Sequence, residues 1–166
     1  MIKDTIGVTE KIDILGRKNV PAKIDTGADS SAIWASHIRV GRDGILRFRL
    51  FDEGSPYYTG KVIKRQDFKV VRITSSNGQS EIRYRTHFRT NINSRNIRIL
   101  FNLADRSKNG FPVLIGRRSI KGKFLVDVSR GKVQLAKRKV SWSIKMQDNP
   151  YEFHKKYVKM KKERET

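Results

Sequence analysis

The chain carries one short run that narrows its possible folds more than any other. Val20-Pro21-Ala22-Lys23-Ile24 leads into Asp25-Thr26-Gly27-Ala28-Asp29. The approach is partly β-branched and partly apolar, which predicts a strand entering a core. Glycine directly after Asp-Thr permits a sharp bend, because glycine alone takes positive φ freely. A strand that ends in such a bend holds its carboxylate stiffly at the mouth of a cleft. Asp and Gly are also common turn residues, so this run by itself fits an ordinary Asx turn as well.

A second run restricts the choice. Phe111-Pro112-Val113-Leu114-Ile115 is apolar and ends in Gly116-Arg117. Glycine at 116 would let this strand pass the Asp25 bend closely, where a side chain would clash. Three further pieces accompany the two: Ser75-Ser76-Asn77-Gly78, Leu103-Ala104-Asp105-Arg106-Ser107 and Gly122-Lys123-Phe124-Leu125-Val126-Asp127. In this order the five pieces resemble the retropepsin-like aspartic proteases. They are most similar to a bacterial branch labelled "ATP-dependent zinc protease", found with the ligase that adds glutamates to a small-subunit ribosomal protein. The resemblance covers residues 5–130.

The resemblance implies an all-β fold: a single-lobe, retropepsin-like closed barrel with one short helix. Residues 1–136 would form that domain and 137–166 a basic C-terminal extension. It implies catalytic roles for Asp25, Thr26 and Gly27, and substrate contact by Ala28 and Asp29. The hairpin carrying Asn77 and Gly78 would be the flap that closes over substrate. Gly116 and Arg117 would be structural, with Arg117 paired to Asp29. An arginine suits that place because its fork binds a carboxylate through two hydrogen bonds.

Amide hydrolysis needs an activated nucleophile and a proton for the leaving nitrogen. Two facing carboxylates that share one proton supply both. Only one Asp-Thr-Gly is present. The pair therefore requires a two-fold homodimer, in which Asp25 of each copy meets the other across the axis.

Composition removes several other chemistries. The chain has no cysteine, which excludes disulfides, thiol nucleophiles and thiolate zinc sites. His37, His87 and His154 are far apart and form no His-Glu-x-x-His. No metal or other cofactor is expected. Gly41-Arg42-Asp43-Gly44 is too short for a phosphate loop and lacks the Gly-Lys-Ser/Thr ending. No apolar run is long enough to span a bilayer, and Met1-Ile2-Lys3-Asp4-Thr5 is no signal-peptide start. No membrane partner and a cytoplasmic location are the expectations.

Charge points to the partner. There are 37 Lys+Arg against 16 Asp+Glu, a formal +21. Such a field attracts polyanions. One expectation is a peptidase acting on an acidic, oligoglutamate peptide. The alternative is a catalytically idle basic barrel that binds RNA or ribosomes, with Phe48, Tyr57, Tyr58, Tyr84 and Phe88 as stacking groups.

The remaining pattern predicts strands at 5–16, 20–25, 45–51, 61–74, 81–92, 97–103, 113–115, 124–128 and 132–135. A turn is expected at Gly16–Asn19, and a type I′ turn at Asn77-Gly78. Ile33 and Trp34 are expected in the core. Residues 145–166 read as a basic amphipathic helix or a disordered arm, with Asn149-Pro150 as helix start.

Overall fold

The computed structural model describes residues 2–74, 77–131 and 150–164. Strands β1 (Asp4–Ile6), β2 (Thr9–Ile14), β3 (Arg17–Asp25), β4 (Ser31–Val40), β5 (Leu46–Leu50) and β6 (Ile63–Arg65) come first. Then follow β7 (Lys69–Thr74), β8 (Ser80–Ile92), β9 (Arg95–Ala104), β10 (Val113–Gly116), α1 (Arg117–Ile120) and β11 (Phe124–Val126). A separate helix, α2 (Pro150–Arg164), lies in the second of two units, Met1–Gln134 and Leu135–Thr166.

Six strands close into a barrel in the order β10-β3-β2-β8-β9-β4, and β4 returns to β10. The all-β, single-lobe barrel with one short helix is therefore the fold of the first unit. Closure depends on β10. It is only four residues long, yet it pairs parallel with β3 and antiparallel with β4. β5 and β6 extend the sheet beyond β4, and β7 pairs with the first half of β8. β1 and β11 form a parallel two-stranded sheet of their own.

The alternation seen in sequence has a direct structural counterpart. On β5, Leu46, Phe48 and Leu50 are buried while Arg47 and Arg49 are half-buried. Inside, Phe88 meets Phe48 and Phe101 at ring distances of 6.0 and 5.9 Å, separations at which aromatic pairs attract. Ile33 is fully buried, and the half-buried Trp34 packs edge-on against Phe51 at 6.3 Å. Phe48 and Phe88, offered above as base-stacking groups, are 1% and 2% exposed and present no face to a base.

Several local expectations are corrected. Residues 5–16 are two strands in two different sheets, β1 and β2. The first hairpin turns at Leu15-Gly16, not at Gly16–Asn19, and Ile14 pairs with Arg17. Leu15 and Gly16 have φ of 47° and 75°, the signature of a type I′ turn. Residues 61–74 break between β6 and β7. β11 stops at Val126 and not at Val128, because Asp127 accepts hydrogen bonds from Ser129 and turns the chain. The β7–β8 register pairs Thr74 with Ser80. That register leaves an odd number of residues in the loop, so Asn77-Gly78 is not a two-residue turn. The expected strand at 132–135 lies outside the described residues.

Candidate active site

β3 delivers Asp25 to the end of the barrel, and β10 runs beside it in parallel. The pairing sets Gly116 opposite Asp25. A Cβ on Gly116 would lie 2.5 Å from the Ser30 carbonyl oxygen and 2.9 Å from that of Ala28. Real side chains do not approach backbone so closely, so glycine alone fits between the strand and the bend. The Gly116 N–H donates to Ser31 Oγ at 3.0 Å, and Ser31 Oγ lies 2.8 Å from Ser119 Oγ. The Arg117 N–H donates to the Ala28 carbonyl at 2.8 Å, and the Arg118 N–H to that of Asp29 at 3.3 Å. The loop from Asp25 to Ser31 is thus laced to β10 and α1.

The carboxylate has a fixed orientation. Asp25 Oδ1 accepts from the Gly27 and Ala28 backbone N–H groups, both at 3.1 Å. Two backbone amides aimed at one oxygen fix the direction in which the carboxyl group points. Oδ2 has no hydrogen-bond partner among the described residues. Thr26 and Gly27, at the turn, are exposed. One copy of the chain therefore presents a single carboxylate on an open loop.

Asp29 is held by two arginines and not by a single fork. Arg117 Nε donates to Oδ1 at 2.5 Å, and Arg118 Nη2 to Oδ2 at 3.3 Å. All three side chains are largely exposed. They share a cavity of about 520 Å³ with Thr26, Ile120 and Leu125. The loop from Asp25 to Asp29, Gly116 and Arg117 thus forms one hydrogen-bonded cluster. Asn77 and Gly78 belong to another element, the tip of the β7–β8 hairpin, where Asn77 Oδ1 accepts from the Gln79 N–H at 3.3 Å. Ala28 is half-buried and contributes backbone only.

A cation also acts on this site. Arg106 follows β9 and donates Nε to the Phe111 carbonyl at 3.0 Å. Burial holds its guanidinium below the ordinary pKa; the charge of Arg83 pushes the same way and the Asp25 carboxylate opposes both. Arg106 lay within a run that carried the family resemblance, but nothing local marked it as a neighbour of Asp25. Ser31 and Ser119 were likewise silent, since a buried hydroxyl pair leaves no periodic trace. Among the described residues no group of three or more His, Asp or Glu is placed to hold a metal ion.

Comparison with known proteins adds the following. The family model described as "RimB-like: Retropepsin-like aspartic endopeptidase RimB" matches residues 5–137. A Shewanella pealeana protein named "Probable alpha-L-glutamate ligase" is 32% identical over 118 residues, covering 69% of this chain and 26% of that protein. Its Shewanella halifaxensis counterpart, of the same name, is 30% identical over the same length. This chain thus spans about a quarter of the curated relatives it matches. A crystal structure of a Legionella pneumophila protein of unknown function shares the fold, with a TM-score of 0.59 and 21% identity. The match covers 78% of this chain and 97% of that one.

Proposed function

Because this chain belongs to the RimB-like family of retropepsin-like aspartic endopeptidases, we propose that it is an aspartic endopeptidase, active as a homodimer, that cleaves oligoglutamate. The observation that carries the reading is Asp25 itself. It is fixed by two backbone amides on an exposed loop, with Gly116 packed behind it. Two such loops meeting across a two-fold axis place two carboxylates on one water. One Asp25 takes a proton from that water as it attacks the scissile carbonyl carbon. The partner copy's Asp25, protonated, donates to the carbonyl oxygen. The proton gained then passes to the leaving nitrogen as the C–N bond breaks, while the partner copy's Asp25 takes back a proton from a hydroxyl of the tetrahedral intermediate as the product carboxyl forms.

The substrate class rests on two supports. The formal +21 draws a polyanion toward the barrel. The Shewanella relatives carry a glutamate-ligase name, and this chain matches about a quarter of their length. A module matched within such a protein is suited to hydrolysing what a ligase of that kind makes, a chain of linked glutamates. The test compares poly-glutamate with neutral casein, using the parent chain and Asp25→Asn. Release of short glutamate peptides by the parent alone is expected. Preference for casein removes the substrate reading, and equal activity of Asp25→Asn removes the mechanism.

A further inference from the structure

Beside the catalytic loop lies a second, smaller cavity of about 190 Å³. Its wall is basic and hydroxylic: Arg85, Arg98, Arg118 and Lys123, with Ser30 and Ser119 between them. Among the described residues no carboxylate lines it. Among the described residues, Arg85, Arg98 and Lys123 make no ion pair; only Arg118 does, with Asp29. Arg85 is held in place by neutral groups. Nε donates to Asn102 Oδ1 at 2.5 Å, and Nη2 to Ser30 Oγ at 3.3 Å. Asn102 is itself only 4% exposed. An arginine clamped by a buried amide and a hydroxyl keeps its full charge for something else. His87, also in the wall, is held below its ordinary pKa by burial first and then by the charge of Arg98, partly opposed by Asp67.

The size and place of this cavity match a side chain of the substrate. Its volume is well above the ~10–15 Å³ that a single water needs, which leaves room for one carboxyl-bearing side chain. Ser30 lies about five residue steps along the loop from Asp25, which is ~18 Å at full extension. A peptide in strand conformation advances ~3.3 Å per residue. A chain with its scissile bond at Asp25 would therefore bring a side chain here within about five residues.

We propose that this cavity is a carboxylate subsite, which reads an acidic side chain of the substrate some residues away from the bond cut. Arg98, Arg118 and Lys123 supply the charge, and Arg85 with Ser30 supplies a positioned donor pair. The inference rests on the oligoglutamate reading above for the identity of the carboxylate, but the cavity and its charge do not depend on it. Recognition at two separated points would favour a run of glutamates over a single one.

The test uses the full chain with Arg98→Gln and Lys123→Gln combined, and Arg98→Lys as the conservative control. All-glutamate peptides are compared with peptides in which one glutamate at a time is replaced by glutamine. Loss of charge-assisted bonds is expected to raise KM on the all-glutamate peptide by about tenfold or more. Glutamine at one particular position should cost the parent a similar factor and the double variant under about threefold, a coupling that a general loss of charge does not produce. Arg98→Lys should recover part of the loss. Equal effects on every peptide would overturn the subsite. Binding of fluorescent oligoglutamate to Asp25→Asn, with and without the two substitutions, separates the two readings. Binding that depends on Arg98 and Lys123, with no cleavage by the parent, keeps the subsite and removes the peptidase. Cleavage indifferent to both residues does the opposite. Loss of affinity for an RNA oligomer but not for oligoglutamate would overturn the proposal in favour of a nucleic-acid contact.

Discussion

Gly116 and Asp25 face each other across the parallel β3–β10 pairing, and the space between β10 and the loop that follows Asp25 is filled by backbone. A single methyl at 116 would fall 2.5 Å from the Ser30 carbonyl oxygen. Gly116→Ala must therefore push β10 from the loop or strain both. Overpacking of this kind costs about 1–3 kcal/mol, a fall in Tm of roughly 4–10 °C for a domain of this size. Thermal unfolding checks the stability, and peptidase activity should fall further than stability does.

Asp25→Asn should leave the fold intact and abolish hydrolysis. The asparagine Oδ1 still accepts from the Gly27 and Ala28 N–H groups. What is lost is the proton exchange that a carboxyl provides, worth roughly a thousandfold or more in rate. Tm within a few degrees of the parent, with no detectable release of peptide, is the expected outcome. Retained activity would mean that another group does the chemistry.

Arg117→Ala tests the dimer. The Arg117–Asp29 pair is largely exposed, so within one copy it is worth no more than about 1 kcal/mol. It lies in the cavity beside Thr26 and Leu125, and in the proposed homodimer the Thr26 turn faces the second copy. Sedimentation should show a weakened dimer, and activity should recover at high protein concentration. Activity lost with the dimer intact would assign Arg117 to the chemistry instead.

Acid should destabilise the barrel through its surface carboxylates. Hydrogen bonds from Arg47, then from the Ile45 N–H, hold Asp43 well below the ordinary value of 3.8. The Asn19 N–H does the same for Asp13, Ser107 for Asp105 and Ser129 for Asp127. A folded pKa below the unfolded one stabilises the native state above the unfolded pKa. That stabilisation is lost as pH falls through the folded pKa. Tm should fall as pH drops from about 5 to about 2. Asp43→Asn should lower Tm at neutral pH and flatten that acid slope.

Phe88→Ala tests the barrel core. Phe88 is 2% exposed and contacts both Phe48 and Phe101. Truncation should cost about 3–5 kcal/mol, seen as a large shift in the denaturant midpoint. Arg98, on the adjoining strand but exposed, should leave that midpoint nearly unchanged when altered to Gln.

Local chemistry was legible in the residues alone. Asp25-Thr26-Gly27 announced a carboxylate on a bend, and Leu46 to Leu50 announced a half-buried strand, because both are written in neighbouring positions. Gly116 was legible as a place of close approach. The pairing of Arg117 with Asp29 was legible through the family resemblance. The second arginine on Asp29, Arg118, the Ser31–Ser119 hydroxyl pair, the charge of Arg106 acting with that of Asp25 and the basic cavity behind Ser30 were not. They join side chains that lie far apart along the chain, 89 positions in the case of Arg118 and Asp29. The turn at Leu15-Gly16 was misplaced for a related reason. Leucine tolerates positive φ only where the pairing of β2 with β3 holds it there. Sequence by itself determined where strands could form and which residues could do chemistry, since periodicity and turn residues act over a few positions. Only the closed barrel decided which of them meet, because β10 must fit between β3 and β4, and that fit is a property of packing across the whole domain.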